Sequence, residues 1–316
     1  MKIIVIGAGA MGCLYGAYLS KEHEVIMIDS YKGQVDQINE YGIQLEELDG
    51  QLHTYKNVTA YESGMCEHMA DVIIVFVKST YTNDALAQNK HLFDENTIVM
   101  TLQNGAGNDR KIAQYVAKEN IIIGTSKHSA LHTGNGIIQH RGEGLTTIGS
   151  NHHQDERLQM LSSTLQKAGF EMEVSQDIQR IIWSKLFVNL SINTFTAITE
   201  TPIGYMVEND YAWNFAKRLI YEAVDVAEED GTYFDRREVL DMVKHVCHDA
   251  KQGYSSMYQD RKKGILTEID AINGAIVEQA KQYGVPVPYN TLIVDLIHAI
   301  EGTYEFNKKQ EIKIER

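Results

Sequence analysis

An α/β domain followed by an all-helical C-terminal domain is the fold class that the sequence predicts. Short apolar, β-branched segments alternate with helical patterns over the first 176 of the 316 residues. That alternation is typical of a parallel sheet covered by helices. After this point the strand patterns end, and only helical patterns follow. We therefore expect two domains, at residues 1–176 and 177–316.

The bulk composition is that of an ordinary globular protein, with 43% hydrophobic and 23% charged residues. A net charge of −14 argues against nucleic acid or an anionic membrane as a partner. Cys13, Cys66 and Cys247 are widely spaced and form no CxxC pair. This pattern predicts a cytoplasmic protein without a metal site. We expect neither a membrane span, which needs roughly 18 apolar residues, nor a signal peptide.

A glycine-rich turn follows the first predicted strand, which covers residues 2–6. A helical pattern over residues 13–20 comes next, and a second strand over residues 24–28 ends at Asp29. A GxGxxG turn between a strand and a helix, with an acid about 20 residues further on, is the dinucleotide-binding fingerprint. The sequence thus predicts an α/β Rossmann dinucleotide-binding domain followed by an all-helical C-terminal domain. Its expected cofactor-binding turn is Gly7, Ala8, Gly9, Ala10, Met11 and Gly12.

Asp29 bears on the choice between NAD and NADP. A carboxylate at this position accepts hydrogen bonds from the adenosine ribose and repels a 2′-phosphate, which favours NAD(H). Lys32 lies three residues further on, and its charge would offset part of that repulsion. The sequence therefore favours NADH without excluding NADPH.

Further strands are predicted over residues 70–77, 97–102 and 120–124. Ligands of open α/β sheets bind beyond the carboxyl ends of the strands, where Lys78 and Asn104 lie. We therefore expect both residues to bind the cofactor. The alternatives are a solvated lysine at a helix start and an ordinary Asn-Gly turn. Residues 126–149 are predicted to form a hairpin that closes the sheet edge. His128 and His132 lie in that region, and we assign them no catalytic role.

A nearly uninterrupted apolar stretch over residues 181–193 predicts a buried helix. Lys185, Asn189 and Asn193 are spaced at i, i+4 and i+8, which places them on one helix face. Polar groups on a buried helix destabilise the fold unless they have partners. The alternative is a lysine whose stem reaches water beside asparagines that bond to nearby backbone. The nucleotide-binding pattern favours a functional site.

A second polar cluster lies between apolar flanks in the helical half, at Ser256, Asp260, Glu268 and Asn273. Thr267 is a suitable N-cap, and Asp270 holds the capping-box position three residues later. Capping gives Thr267 and Asp270 a structural role. Capping does not explain why the four polar residues of the cluster lie between apolar flanks.

Taken together, these motifs resemble the ketopantoate reductase (2-dehydropantoate 2-reductase) family along nearly the whole chain. The matching segments are residues 7–12, 77–78, 104–105, 183–193, 255–260 and 267–274. The resemblance implies reduction of the small 2-keto acid 2-dehydropantoate to pantoate, a step of pantothenate biosynthesis, with NADPH as the usual reductant. It further implies catalytic Lys185 and Glu268, substrate-binding Asn104, Asn189, Asn193 and Ser256, and Lys78 beside the cofactor.

Two departures from the family pattern leave alternatives open. Asp29-Ser30 stands where the family has an arginine, and Ile203 lies near the position of a further substrate-side asparagine. A branch of the family resembles NAD-dependent D-2-hydroxyacid dehydrogenases of the mandelate type, which act on bulky or β-branched 2-keto acids. A β-hydroxyacid dehydrogenase and a non-catalytic NAD(P)-binding regulator are further alternatives. A homodimer is compatible with a helical second domain that carries apolar surface.

Overall fold

The computed structural model describes residues 1–151 and 155–314. The chain divides into two compact units, Met1–Ile178 and Gln179–Arg316. The first unit combines strands and helices, and the described part of the second is helical, so the predicted fold class is confirmed. The division falls two residues after the expected boundary at residue 176.

The strands of the first unit form an eight-stranded and a four-stranded sheet. They are β1 (Lys2–Ile6), β2 (Glu24–Asp29), β3 (Ile43–Glu46), β4 (Leu52–Tyr55), β5 (Val58–Glu62), β6 (Val72–Val75), β7 (Ile98–Thr101), β8 (Ile121–Ser126), β9 (Ser129–Gly134), β10 (Ile137–Gly142), β11 (Thr146–Gly149) and β12 (Met172–Val174). The large sheet has the order β12-β11-β8-β7-β6-β1-β2-β5. All its pairs are parallel except β11 with β8.

The large sheet is buried at its centre, where β6 and β7 have no exposed residue. This burial accounts for their continuous apolar sequences, since helices cover both faces of a parallel sheet. The helices of this unit are α1 (Ala10–Leu19), α2 (Lys32–Tyr41), α3 (Thr82–Gln88), α4 (Asn108–Ile112) and α5 (Asp155–Ala168). Tyr15 of α1 stacks on Phe170, with 4.1 Å between ring centroids.

The hairpin expected within residues 126–149 does form, but its predicted place was wrong. Strands β9 and β10 belong to the separate sheet β4-β3-β10-β9, in which β10 pairs in parallel with β3. That pairing joins Ile137 to Gln44, across more than 90 residues of sequence. The local pattern shows a hairpin, whereas the strand that it pairs with lies far away in the sequence.

The second unit consists of helices in the residues that the structure describes. They are α6 (Ile178–Val188), α7 (Thr194–Thr199), α8 (Tyr205–Glu208), α9 (Asp210–Glu229), α10 (Arg236–Asp249), α11 (Ser256–Lys262), α12 (Asn273–Tyr283) and α13 (Pro288–Ile314). A π turn over Asn189–Asn193 joins α6 to α7. Contrary to the expectation from the sequence, the resulting stretch Ile178–Thr199 is long and apolar enough to cross a membrane by length and composition. However, 61% of its most apolar window is buried within the protein, as in the core helices of many globular proteins.

The expected capping box at Thr267 does not form. Thr267 Oγ1 accepts the N–H of Ile269 at 3.2 Å, which starts only a short 3₁₀ turn, Ile269–Ala271. Asp270 instead accepts a hydrogen bond from His298 Nε2 of α13 at 2.9 Å. Helix α12 begins later, at Asn273, after this short turn.

Candidate active site

The glycine-rich turn adopts a conformation that side chains would prevent. Gly7 has φ +105°, and a Cβ there would lie 2.5 Å from the backbone nitrogen of Val77. A Cβ on Gly12 would lie 1.8 Å from the carbonyl oxygen of Gly7, so this helix packs against the strand only through glycine. By contrast, a Cβ on Gly9 would meet no atom within 4 Å. The open space beside Gly9 is where a bound pyrophosphate can approach the backbone.

Asp29 holds this turn through its side chain. Its Oδ2 accepts the N–H of Ala8 at 2.8 Å, and its Oδ1 accepts the N–H of Tyr31 at 2.9 Å. A carboxylate that accepts backbone N–H bonds on both oxygens is held in one orientation. The acid therefore presents fixed negative charge at the end of β2.

The buried side chain of Gln34 holds the other side of the turn. Its Nε2 donates to the Ala8 carbonyl at 2.6 Å, and its Oε1 accepts the Gly136 N–H at 2.8 Å. Since the amide orientation follows from these two bonds, His132 must donate from Nε2 to the same oxygen at 3.2 Å. The contact with Gln34 gives His132 a structural role. Burial lowers the pKa of His132 from its ordinary value, and this effect exceeds the opposite effect of the nearby charge of Asp29.

A cavity of about 380 Å³ opens beside the glycine-rich turn. It lies at the carboxyl ends of β1, β2 and β6, where an open parallel sheet binds its ligand. Its lining includes Gly7, Gly9, Asp29 and Lys78, which the sequence predicts. It also includes residues that the sequence analysis missed, notably Ser63, Tyr81, Asp84 and Gln88. Strand β5, which precedes Ser63, was not predicted, so nothing marked that position in the sequence.

Lys32 does not contribute to this cavity. Its Nζ lies 2.6 Å from Asp36 Oδ1 on the exposed face of α2, and it is absent from the cavity lining. The positive charge of Lys32, which was expected to offset that of Asp29, is thus paired with Asp36 instead. The residues that line the cavity include the acidic Asp29 and Asp84 and the basic Lys78.

Asn104 follows β7 and is not among the residues that line this cavity. Its carbonyl oxygen accepts hydrogen bonds from Ser79 Oγ at 2.9 Å and from Asn108 Nδ2 at 3.2 Å. These bonds join the turn after β7 to the segment that follows Lys78. The ends of β6 and β7 are therefore held side by side.

In the second unit, α6 and the π turn carry Lys185, Asn189 and Asn193. Lys185 and Asn189 are half-buried, and Asn193 is 8% exposed. The helix is anchored by the aromatic core, where Phe187 packs edge-on against Phe234 at 4.9 Å between centroids. The predicted polar row therefore lies on a helix whose other side chains are fixed by packing.

The segment that carries Ser256 lies against the end of this same helix. Buried Ser255 caps α11 by accepting the N–H of Tyr258 at 3.1 Å, and its Oγ lies 2.7 Å from Thr196 Oγ1. Arg261 donates to the carbonyl oxygen of Ile198 at 2.7 Å. Ser256 itself is exposed. The structure thus brings α11 and α7 together, and it gives Ser255 a structural role.

Glu268 is half-buried and lies in a segment that is fastened to α13. The N–H of the preceding Thr267 donates to Glu301 Oε1 at 2.7 Å, while His298 bonds to both Asp270 and Glu301. Asn273, the last member of the predicted cluster, is fully buried and donates to the Leu190 carbonyl oxygen at 3.2 Å. This contact ties the start of α12 to the π turn.

Comparison with known proteins identifies the family. The model of ketopantoate reductase PanE/ApbA matches residues 3–153, and that of its C-terminal part matches residues 177–301. Curated proteins named 2-dehydropantoate 2-reductase are similar along the whole chain. The protein from Pyrococcus horikoshii is 33% identical, with 96% of this chain and 98% of the relative covered. The protein from Halobacterium salinarum is 30% identical, with 94% and 98% covered.

Solved structures agree with this assignment. D-mandelate dehydrogenase with NADH and anilino(oxo)acetate superposes with a TM-score of 0.89 at 31% identity, with 96% of this chain and 100% of that chain covered. A PanE/ApbA family ketopantoate reductase from Ralstonia eutropha gives a TM-score of 0.84 at 28% identity, with the same coverage. The resemblance read from the sequence is confirmed. The chain belongs to the ketopantoate reductase PanE/ApbA family.

Proposed function

We propose that this protein is an NAD(P)H-dependent oxidoreductase that reduces a 2-keto acid to a 2-hydroxy acid, with 2-dehydropantoate as the substrate. The observation that carries the proposal is the row of Lys185, Asn189 and Asn193 along one anchored helix. Full-length relatives named 2-dehydropantoate 2-reductase support it. We further propose that the two units act as a cofactor-binding and a substrate-binding domain.

The glycine-rich turn, Asp29 and Lys78 would hold the dinucleotide. The open space beside Gly9 and the cavity at the strand ends fit its pyrophosphate and adenosine parts. When bound, the reduced nicotinamide supplies a hydride to the keto carbon. The protein's own contribution is to orient the keto acid and to stabilise the charge that develops on its oxygen.

NADH is the cofactor that the cavity favours. Both oxygens of Asp29 are held by backbone N–H groups, Asp84 adds a second carboxylate, and Lys32 is paired with Asp36. A 2′-phosphate would meet repulsion there, whereas a ribose hydroxyl can donate to a carboxylate. The D-mandelate dehydrogenase structures contain NADH, which agrees with this choice.

Lys185 would donate a proton to the keto oxygen or stabilise its negative charge, with Glu268 as the second catalytic group. A lysine suits this role because its ammonium group is a compact charge with three hydrogen-bond donors. The side chains that would orient the oxygens of the substrate are Asn104, Asn189, Asn193 and Ser256.

A second candidate is an NAD-dependent D-2-hydroxyacid dehydrogenase that acts on bulky 2-keto acids. It is favoured by the carboxylate of Asp29 and by Ile203, which stands near the position of a family asparagine. A half-buried isoleucine cannot donate a hydrogen bond to a hydroxyl-bearing substrate. The chain would then use the same residues on a more apolar substrate.

Initial rates with ketopantoate and with benzoylformate, each with NADH and with NADPH, test the proposal. Ketopantoate as the better substrate supports the first candidate, and benzoylformate with NADH supports the second. Binding of cofactor without reduction of any 2-keto acid would contradict both and indicate a non-catalytic regulator. Loss of turnover in Lys185→Ala, with NADH binding retained, is the expected result for the catalytic assignment.

A further inference from the structure

The π turn changes the direction in which the asparagines of the substrate helix point. In an α-helix each residue adds about 100°, so residues four apart are offset by about 40°. A π turn has i→i+5 bonds and roughly 4.4 residues per turn, so four residues fall about 30° short of a full turn. Lys185 to Asn189 is an α-helical step, and Asn189 to Asn193 spans the π turn. The two offsets nearly cancel.

Asn193 therefore returns to within about 10° of the direction of Lys185. An uninterrupted α-helix would place it about 80° away. The sequence spacing alone suggests one straight row of polar side chains, but it is the π turn that produces this row. Any group that maintains the π turn consequently aligns Asn193 with Lys185.

The backbone of the π turn is bonded by side chains at its second residue, Leu190. The carbonyl oxygen of Leu190 accepts Thr194 Oγ1 at 2.6 Å and Asn273 Nδ2 at 3.2 Å. A side chain that bonds into the helical ladder is one of the identifiable causes of an irregular helical turn. Thr194 belongs to the same helix, whereas Asn273 comes from the start of α12, 83 residues further along the chain.

Asn273 is itself held by a chain of buried polar groups. Its Nδ2 also donates to Asn290 Oδ1 at 2.9 Å. Asn290 Nδ2 donates to Glu222 Oε2 at 2.8 Å, and the two carboxylate oxygens of Glu222 accept the N–H groups of Asn290 and Tyr289 at the start of α13. Glu222, Asn273 and Asn290 are 8%, 0% and 0% exposed.

The orientation of every amide in this chain follows from the acceptors at its end. Asn290 Nδ2 also donates to the Leu219 carbonyl oxygen at 3.2 Å, which can only accept, so the NH₂ group of Asn290 must lie on the side of Glu222. Asn290 then turns its oxygen towards Asn273, and Asn273 turns its own NH₂ group towards that oxygen and the Leu190 carbonyl. The network thus presents a hydrogen-bond donor, rather than an acceptor, to the π turn.

We propose that Asn273 is a positioning residue that maintains the π turn and so aligns Asn193 with Lys185. The proposal rests on the proposed function, which assigns Lys185 and Asn193 to the substrate. Asn273 contacts the Leu190 backbone and Asn290. Its effect on the substrate therefore passes through the helix.

The kinetic test uses Asn273→Ala. We expect kcat/KM for the 2-keto acid to fall on the order of 10²-fold, as for a misplacement of about 1 Å, while the Kd for NADH changes less than about twofold. Asp235→Ala is the matched control, because it removes the N-cap of α10, a helix of the same unit, whose bonds to the N–H groups of Arg237 and Glu238 do not involve the π turn. An equal kinetic loss in the control, or normal kcat/KM in Asn273→Ala, would overturn the proposal.

The structural test does not depend on activity. A crystal structure of Asn273→Ala should show α-helical bonding through residues 189–193 and a rotated Asn193, and an unchanged π turn would refute the proposal. If that variant does not fold, Asn273→Asp preserves the shape and serves in both tests. A wild-type protein that reduces no 2-keto acid would defeat the proposed function alone, because the crystal structure still decides the role of Asn273.

Discussion

At the scale of single residues, Asp29 both fixes the shape of the glycine-rich turn and sets the charge at the edge of the cavity. It accepts the Ala8 and Tyr31 N–H groups, and it places negative charge at the edge of the cavity. A substitution there will alter both the shape of the glycine-rich turn and its charge. Cofactor preference and cofactor affinity should therefore change together.

We expect Asp29→Asn to weaken NADH binding about tenfold, close to 1.4 kcal/mol, because one charge-assisted hydrogen bond is lost. The ratio of NADPH to NADH affinity should rise, since a carboxylate that repels a 2′-phosphate has gone. Fluorescence titration with both cofactors measures these effects. Asp36→Asn, which removes the exposed partner of Lys32, is the control and should leave the ratio unchanged.

Gln34 offers a second prediction at this scale. Gln34→Ala removes the donor to the Ala8 carbonyl and the acceptor of the Gly136 N–H. NADH affinity should fall about tenfold, because the turn is no longer held in its binding conformation. Asn39→Ala is a matched control on the same helix, since the side chain of Asn39 bonds to the backbone of Ala60 in β5. Equal loss of affinity in both variants would assign Gln34 to general stability.

At the scale of elements, the segment around Glu268 is held to α13 by His298. Burial lowers the pKa of His298, but hydrogen bonds to Asp270 and Glu301 outweigh it, and the pKa is raised above its ordinary value. A raised pKa means that the folded state binds the proton more tightly than the unfolded state. This stabilisation is complete below the unfolded pKa and is lost as the pH rises through the folded pKa.

His298→Gln should therefore lower the unfolding temperature more at about pH 6 than at about pH 9. The change in unfolding free energy should stay within about 1 kcal/mol, because the His298 side chain is 45% exposed and solvent screens the ion pairs. Thermal unfolding of both proteins at the two pH values measures this difference. A larger loss at alkaline pH would mean that His298 acts in its neutral form.

At the scale of the whole molecule, the three cysteines share one property. All are buried, and burial raises the pKa of Cys13 to about 12, that of Cys247 to about 11 and that of Cys66 above its ordinary value. The reactive thiolate is therefore scarce and inaccessible at neutral pH. These cysteines behave as small apolar side chains in the core.

The native protein should consequently show no fast-reacting thiol in an Ellman titration, and three thiols after denaturation in guanidinium chloride. Saturating NADH should slow any residual reaction of Cys13, which contacts the Ala8 carbonyl beneath the glycine-rich turn at 3.2 Å. Rapid stoichiometric labelling of the native protein would contradict the burial of these side chains.

Local patterns were sufficient to predict much of this protein. The glycine-rich turn, Asp29 and the alternating strands and helices are encoded within a few residues of each other, and the structure shows them as expected. The roles of Lys185 and Glu268 remain predictions that kinetics must test. The beginning of α1 was expected three residues later than Ala10, because the last part of the fingerprint is itself the first turn of the helix.

The sequence by itself determined the fold class, the nucleotide-binding turn and the spacing of the polar helix, because each depends on the order of neighbouring residues. Only the tertiary structure decided that β9 and β10 belong to a second sheet, that Lys32 is paired with Asp36, and that Asn273 donates to the backbone of the π turn. The strand and π-turn contacts join groups that are far apart in sequence. Lys32 has two acidic residues near it in the sequence, Asp29 and Asp36, and the local pattern does not say which one it pairs with. Such choices depend on packing and on the hydrogen bonds that buried groups must make, which no local pattern records.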